Sequence, residues 1–291
     1  MTRINRTVLM SDALHFSANQ AINPYYNDQN VDISKALHEH IAISTALSSA
    51  GIIITSVPSP LESQDGVYTA NWALVRGDTA ILARLPDVRR AEIGHAQQVL
   101  ENLGKTVIEV PAGLKFSGQG DALACGNFLF CGQGYRSDEA AQAFAAEKLD
   151  YQRIQLQTIP ELDSAGLPML NAVSGWADSF FYDIDLALSI IKGPEADKKG
   201  LIAYCPDAFT PESQAILLAF DGVEKITVSI DEATHAFASN LVSTGEVVIM
   251  SAHAPLLKAS LESHGLIVLT PEISELAKGG GYIRCTTLTL D

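Results

Sequence analysis

One pattern constrains this chain more than any other: a polar, turn-forming segment followed by strand, strand, helix and strand, repeated along its length. The polar anchors are Asp65, Asp121, Asp185, Asn240 and Cys285, at steps of 56, 64, 55 and 45 residues. The first anchor lies in the loop Gln64 to Trp72, which runs into strands Ala73 to Val75 and Thr79 to Leu82, a helix over Asp87 to Leu103 and a strand over Thr106 to Val110. The second, Ser117 to Asp121, feeds Ala122 to Cys125, with Asn127 to Phe130 returning, a helix over Ser137 to Lys148 and a strand over Ile154 to Thr158. Tyr182 to Asp185 and Ser239-Asn240 open the third and fourth units in the same way. Repeats of this size mark propellers or arrays of supersecondary units, because a single unit cannot bury its own apolar face. Five units set radially would aim every polar loop at one axis, so that Asp65, Asn71, Asp121, Asp183, Asp185, Asn240 and Cys285 meet in one pocket.

The fifth unit is completed from both ends of the chain. Gly279-Gly280-Gly281 allows a tight turn and close approach of a ligand. Cys285 is expected where this loop becomes a strand, Thr286 to Leu290, and the return strand is Thr7 to Met10. Between them Ser11 to Gln29 reads as irregular, Val31 to Ala50 as a helix closed by Gly51, and Ile52 to Val57 as a buried strand. No linker or low-complexity stretch interrupts the pattern, so residues 1–291 are expected to form one α/β domain.

Composition narrows the function. Nineteen basic against 34 acidic residues give a net charge of −15, which repels phosphate backbones and argues against nucleic acid. Acidity focused in a cleft would draw a cation. No run of about 18 apolar residues is present and the start Met1 to Arg6 lacks the apolar core of a signal peptide, so a cytoplasmic protein with no membrane partner is expected. Cys125, Cys131, Cys205 and Cys285 are widely spaced, in no metal-ligand pattern, and read as reduced thiols. Neither a metal nor a cofactor is called for.

The motifs resemble the guanidine-modifying, or pentein, superfamily, which includes dimethylarginine dimethylaminohydrolases, arginine dihydrolases, deiminases and amidinotransferases. The stretches that carry the resemblance are Ile22-Asn23-Pro24-Tyr25, Asp65 to Asn71, Phe116 to Leu123, Gly134 to Asp138, Phe181 to Asp185, Ser239-Asn240 and Gly279 to Leu290. The nearest likeness is to the dimethylarginine dimethylaminohydrolase and arginine dihydrolase branch. It implies a five-bladed α/β propeller of ββαβ repeats and a hydrolase acting on C–N bonds of an arginine- or methylarginine-like guanidine compound. In such enzymes carboxylates grip the planar guanidinium and a cysteine attacks its central carbon, forming a covalent adduct that water hydrolyses. On this resemblance Cys285 is the nucleophile, Asp65, Asp121 and Asp185 are acidic binding positions, and Asn23 and Asn71 line the pocket; Asn240, placed there by the repeat, is a further substrate-binding candidate. The partner would be a small cationic substrate and, at most, a second copy of the chain.

Two positions depart from the family pattern. Asp183 stands where the family has its proton-shuttling histidine, and Ser117 where it has the glutamate that holds that histidine. Asp183 becomes the candidate acid/base, because crowded carboxyls in a low-dielectric site raise one another's pKa. The alternative is a pseudoenzyme that binds a cationic amino-acid-like ligand without turnover. Arg136 and Arg284 are the candidates to meet an α-carboxylate. His235 and His253 are the histidines nearest the pocket loops, with helix-start and surface roles the commoner fate.

Overall fold

The computed structural model describes residues 3–26, 30–61 and 63–291. Asn27 to Gln29, the end of the segment expected to be irregular, and Met1-Thr2 lie outside the described residues.

Among the described residues fifteen strands form five three-stranded sheets. In the second to fifth blades the sequence order is inner strand, middle strand, helix, outer strand. These are β3 (Ala73–Arg76), β4 (Thr79–Leu82), α2 (Arg90–Asn102) and β5 (Thr106–Glu109); β6 (Ala122–Cys125), β7 (Phe128–Cys131), α3 (Glu139–Lys148) and β8 (Gln152–Gln155); β9 (Leu188–Lys192), β10 (Gly200–Tyr204), α4 (Pro211–Ala219) and β11 (Val223–Thr227); and β12 (Val242–Ser243), β13 (Val247–Ile249), α6 (Pro255–Ser263) and β14 (Ile267–Leu269). Inner and middle strands pair antiparallel, as a short turn requires. Middle and outer strands pair parallel, as the crossover helix requires.

The first blade has β1 (Thr7–Ser11), α1 (Ile33–Ser49) and β2 (Ile53–Val57), and takes its inner strand β15 (Leu288–Thr289) from the far end of the chain. β1 pairs antiparallel with β15 and parallel with β2. The return strand expected from the sequence is therefore the one found, and the molecule is a five-bladed pentein propeller. β2 is not buried as expected: it is the outer edge of its blade, and Ile53 is 66% exposed. The strand expected over Thr286 to Leu290 shrinks to two residues. Thr286 and Thr287 donate their amides to the carbonyls of Tyr282 and Arg284, and their hydroxyls to Ile283 and Arg284, and these local turn bonds displace a ladder. Cys285 accordingly sits in a turn.

Five turns meet at one end of the inner strands and are tied into a closed ring of hydrogen bonds. Asn71 donates to Ser117, Ile184 N–H to Asp121, and Asn240 to the Asp185 carbonyl. Cys285 N–H donates to Asn240 Oδ1, and Ala70 N–H to the Cys285 carbonyl. The side chains of Asn71, Asp121 and Asn240 are thus required by the join between neighbouring blades as well as by whatever the pocket binds, whereas Asp65 takes no part in the ring.

Candidate active site

A narrow enclosed cavity opens where the turns converge. Its walls carry Cys285, Asp183, Asn71, Asp65 and Asn23, together with Arg89 and Arg136. The room inside is about 10 Å³ for the centres of water-sized molecules, roughly the space of one water. Close approach here depends on glycine. A Cβ at Gly120 would lie 2.4 Å from Asn71 Nδ2 and 2.7 Å from Asp183 Oδ2. Gly280 has φ +81° and would press a Cβ into the Asn23 side chain.

Cys285 is 3% exposed. Its Sγ accepts from Asn240 Nδ2 at 3.1 Å, and its thiol donates to Asp185 Oδ2 at 3.4 Å. Burial and then the Asp185 charge push the thiol pKa well above its ordinary value. The resting side chain is therefore a thiol. Asp183 Oδ2 accepts from Asn71 Nδ2 at 2.7 Å, and the same amide donates to Ser117 Oγ at 2.9 Å. Asn71 thus bridges the two positions that differ from the family pattern.

The carboxyls are crowded. Burial raises the pKa of Asp183, with Arg136 the strongest opposing influence. Asp121 and Asp185 are raised well above the carboxylate range by burial and by the Asp183 charge. Asp121 Oδ2, Asp183 Oδ1 and Asp185 Oδ1 are buried with no hydrogen-bond partner among the described residues. Buried carboxyl oxygens without donors fit groups that share protons, or that await a cation. Asp65 accepts from the Tyr26 hydroxyl and lies 3.8 Å from Arg89 Nε; burial outweighs that cation and its pKa rises to about 6.

The candidate residues do not all share the cavity wall. Asn23, Asp65, Asn71, Asp183 and Cys285 line it, whereas Asp121, Asp185 and Asn240 lie beneath the lining, in the ring of turns. Asn23 is a strut: its Nδ2 donates to the Gly279 carbonyl at 2.9 Å. Arg136 faces the cavity, 4.9 Å above the Tyr182 ring, with the Ile22 carbonyl as a partner and no carboxylate pair among the described residues. Arg284 turns the other way and donates to Gln119 Oε1 at 2.8 Å, so it cannot meet a ligand in this cavity. His235 and His253 are exposed and paired with Asp231 and Glu272, and neither lines the cavity.

Sequence reasoning missed Arg89. It sits in a 3-10 turn (Asp87–Arg89) before α2, clamped to Glu92 by bonds of 2.8 and 2.6 Å, and donates to Asn71 Oδ1 at 3.0 Å. The Arg-x-x-Glu spacing at a helix start was legible, but an exposed i,i+3 pair reads the same way. It also missed Glu39 on α1. This carboxylate accepts the amides of Ser274, Glu275 and Leu276 and the Ser274 hydroxyl, pinning the segment that leads to Gly279.

A propeller of this topology, with a buried cysteine among carboxyls where its five turns meet, defines the pentein class of guanidine-modifying proteins. Within it the chain belongs to the dimethylarginine dimethylaminohydrolase family: residues 11–166 match the family described as N,N dimethylarginine dimethylhydrolase, eukaryotic. It is 30% identical over 286 residues to the bifunctional arginine dihydrolase/ornithine cyclodeaminase AgrE of Nostoc sp., covering 96% of this chain and 37% of that protein. The chain thus spans little more than a third of that relative's length. It is 28% identical to the N(G),N(G)-dimethylarginine dimethylaminohydrolase of Mycobacterium tuberculosis, covering 98% of this chain and 86% of that one. Among solved structures, the N-terminal domain of ArgZ, a cyanobacterial arginine dihydrolase, superposes in its product-bound form with a TM-score of 0.85 at 26% identity, covering 98% and 97% of the two chains. A variant of that domain covalently bonded to a reaction intermediate matches equally well, with a TM-score of 0.85 at 25% identity. Among the described residues no helix is long and apolar enough to cross a membrane.

Proposed function

We propose that this protein is a cysteine-dependent hydrolase of an arginine- or methylarginine-like guanidine compound. The observation that carries the reading is the buried Cys285 thiol against Asp185, at the floor of a cavity walled by Asp65 and Asp183. The cavity needs to open to admit a side chain of arginine size. A guanidinium entering it would meet carboxyl oxygens that lack donors, and its charge would favour both the carboxylates and the thiolate. With the ligand's charge beside it Asp185 is ionised, so the Cys285 proton passes to Asp185 and the thiolate bonds to the central guanidinium carbon. Asp183, held protonated by burial, gives its proton to the departing amine as the C–N bond breaks. Asp183 carboxylate then takes a proton from the water that displaces Cys285, and the departing thiolate recovers its proton from Asp185. The acidic residues beneath the lining, Asp121 and Asp185, tune these steps, and Asn240 fixes the sulfur. Arg136, which has no carboxylate within ion-pair distance among the described residues, is the candidate to receive an α-carboxylate.

A second reading, a pseudoenzyme that binds the same cation, is favoured by one observation: among the described residues no histidine lines the cavity. Intact-mass spectrometry after incubation with arginine, methylarginines and simpler guanidines separates the two. Hydrolysis, or a covalent adduct lost in Cys285→Ser, supports the enzyme. A thermal shift with neither supports the pseudoenzyme. The four buried free cysteines favour a reducing, cytoplasmic setting, and a homodimer is the assembly to test first.

A further inference from the structure

One connection between blades is much longer than the others. β5 ends at Glu109 and its polar turn follows at Ser117, whereas β8 ends at Gln155 and the next turn begins at Tyr182. The extra length, residues 159–178, is an arm that folds back on itself. Glu161 N–H donates to the Asp178 carbonyl at 3.1 Å and Met169 N–H to the Glu161 carbonyl at 2.9 Å, while Leu162 bridges Pro168 and Leu170 bridges Ala177. The arm adds little to the core: Leu162, Leu167 and Leu170 are 50%, 62% and 68% exposed. Packing alone therefore does not account for it.

Its contacts do. Asn171 Nδ2 donates to the Ala21 carbonyl at 3.0 Å and to Asp178 Oδ2 at 3.1 Å, and Asn171 Oδ1 accepts the amides of Val173 and Ser174 at 3.0 and 2.9 Å. Both ends of this side-chain amide are engaged, so its orientation is fixed. Arg136, 6.0 Å from the centre of the arm's Trp176 ring, donates to the carbonyl of the next residue, Ile22. Ile22 and Asn23 belong to the wall of the cavity that holds Cys285.

Residues 20–23 make no backbone hydrogen bond to another segment among the described residues. Side chains hold them instead: Gln64 on Gln20, Asn171 on Ala21, Arg136 on Ile22, and Asn23 itself on the Gly279 carbonyl. A strip tied by separate side-chain bonds opens more readily than a strand in a ladder. The closed cavity has room for roughly one water, so a guanidine compound enters only when part of the wall moves.

We propose that Asn171 is a positioning residue that latches residues 20–23 over the candidate active site, so that the arm sets how often Cys285 becomes accessible. Its part in hydrolysis rests on the reading of the cavity as the guanidine site. Access to the thiol does not, and can be measured without turnover.

The test is iodoacetamide labelling of the full chain at one pH, with the rate at each of the four buried cysteines read by peptide mass spectrometry. Asn171→Asp keeps an oxygen for the Val173 and Ser174 amides but removes the donor to Ala21. It should speed labelling of Cys285 about fivefold, the loss of one hydrogen bond from the closed state. Cys125, Cys131 and Cys205 should keep their wild-type rates. Ser174→Ala removes the Oγ that accepts the Trp176 amide within the arm, leaves the tie to Ala21, and should not change Cys285. If Asn171→Asp fails to fold, Asn171→Ser, which also keeps an oxygen and is too short to reach Ala21, carries the comparison. An unchanged Cys285 rate, a rise shared by all four cysteines, or an equal rise in Ser174→Ala overturns the proposal. Selective labelling in a protein that hydrolyses no guanidine would leave the latch standing and count against the proposed activity alone.

Discussion

Glu39→Gln should loosen the candidate active site from a distance. The Glu39 carboxylate accepts four donors: Ser274 N at 2.8 Å and Ser274 Oγ at 2.9 Å on one oxygen, and Glu275 N at 2.8 Å and Leu276 N at 3.0 Å on the other. A glutamine keeps one oxygen and turns an NH2 towards the remaining donors, leaving two backbone amides facing a donor in a buried setting. Each stranded amide costs about 1–3 kcal/mol, so about 3 kcal/mol in total is expected. For a chain of this size that lowers Tm by about 6 °C. The effect should reach the site, because the pinned segment presents carbonyls that hold cavity residues. Leu276 accepts from the Tyr68 hydroxyl, Gly279 from Asn23 and Gly280 from the Tyr182 hydroxyl. Amide hydrogen exchange at residues 274–280 should accelerate, and iodoacetamide should reach Cys285 faster than in the wild type. A Tm within about 1 °C of wild type, with exchange at those amides unchanged, would refute the assignment of Glu39 as the anchor.

Asp65 titrates near 6 in the folded chain against 3.8 when free, so the folded state holds the extra proton between those values and stability falls as pH rises through that window. Asp65→Asn should therefore gain on the wild type by at most about 3 kcal/mol at pH 8 and lose that advantage near pH 4; urea midpoints showing the reverse trend would sink this account. Asp185→Asn removes the carboxylate that raises the Cys285 thiol pKa, so the pH profile of alkylation should move to lower pH, and an unmoved profile would show that Asp185 does not act on the sulfur. Replacing Ser117 with Glu and Asp183 with His together should raise hydrolysis of arginine-like substrates by about 10²-fold or more, provided the buried Ser117 site accommodates the larger side chain. A folded double variant that gains nothing would mean that the proton shuttle does not limit turnover.

The fivefold repeat was legible because each unit changes from alternating to helical periodicity at the same point, so even the blade shared by both ends could be read. Local hydrogen bonding explains most of what was not. Thr286 and Thr287 have strand-forming side chains, but their hydroxyls and amides close a turn instead. The helix α5 (Ile230–Ala236) was overlooked although Ser229 and Glu232 carry a capping-box spacing; the Ser229 hydroxyl does accept the Glu232 amide. β8 begins at Gln152 rather than Ile154 because its register is set by Phe128 across the ladder, which no local pattern encodes. At the site, anchor residues could be placed on converging turns, but not sorted into those that face the cavity and those that sit beneath it. That sorting depends on which side chains the ring of hydrogen bonds consumes.

The pairing of β1 with β15 has a consequence for synthesis. At about 5–20 residues per second, the stretch from Asn240 to Leu290 takes several seconds to emerge. Throughout that interval β1 and β2 lack their inner neighbour, and the apolar cluster of Leu9, Trp72, Leu82 and Leu100 lacks Leu288 and Leu290. Cys285 belongs to this late-arriving stretch, so its sulfur cannot meet Asp185 and Asn240 until the last blade can close. The nascent chain therefore passes through a long aggregation-prone stage with no assembled nucleophile, and the seam that completes the propeller is also the step that creates the site.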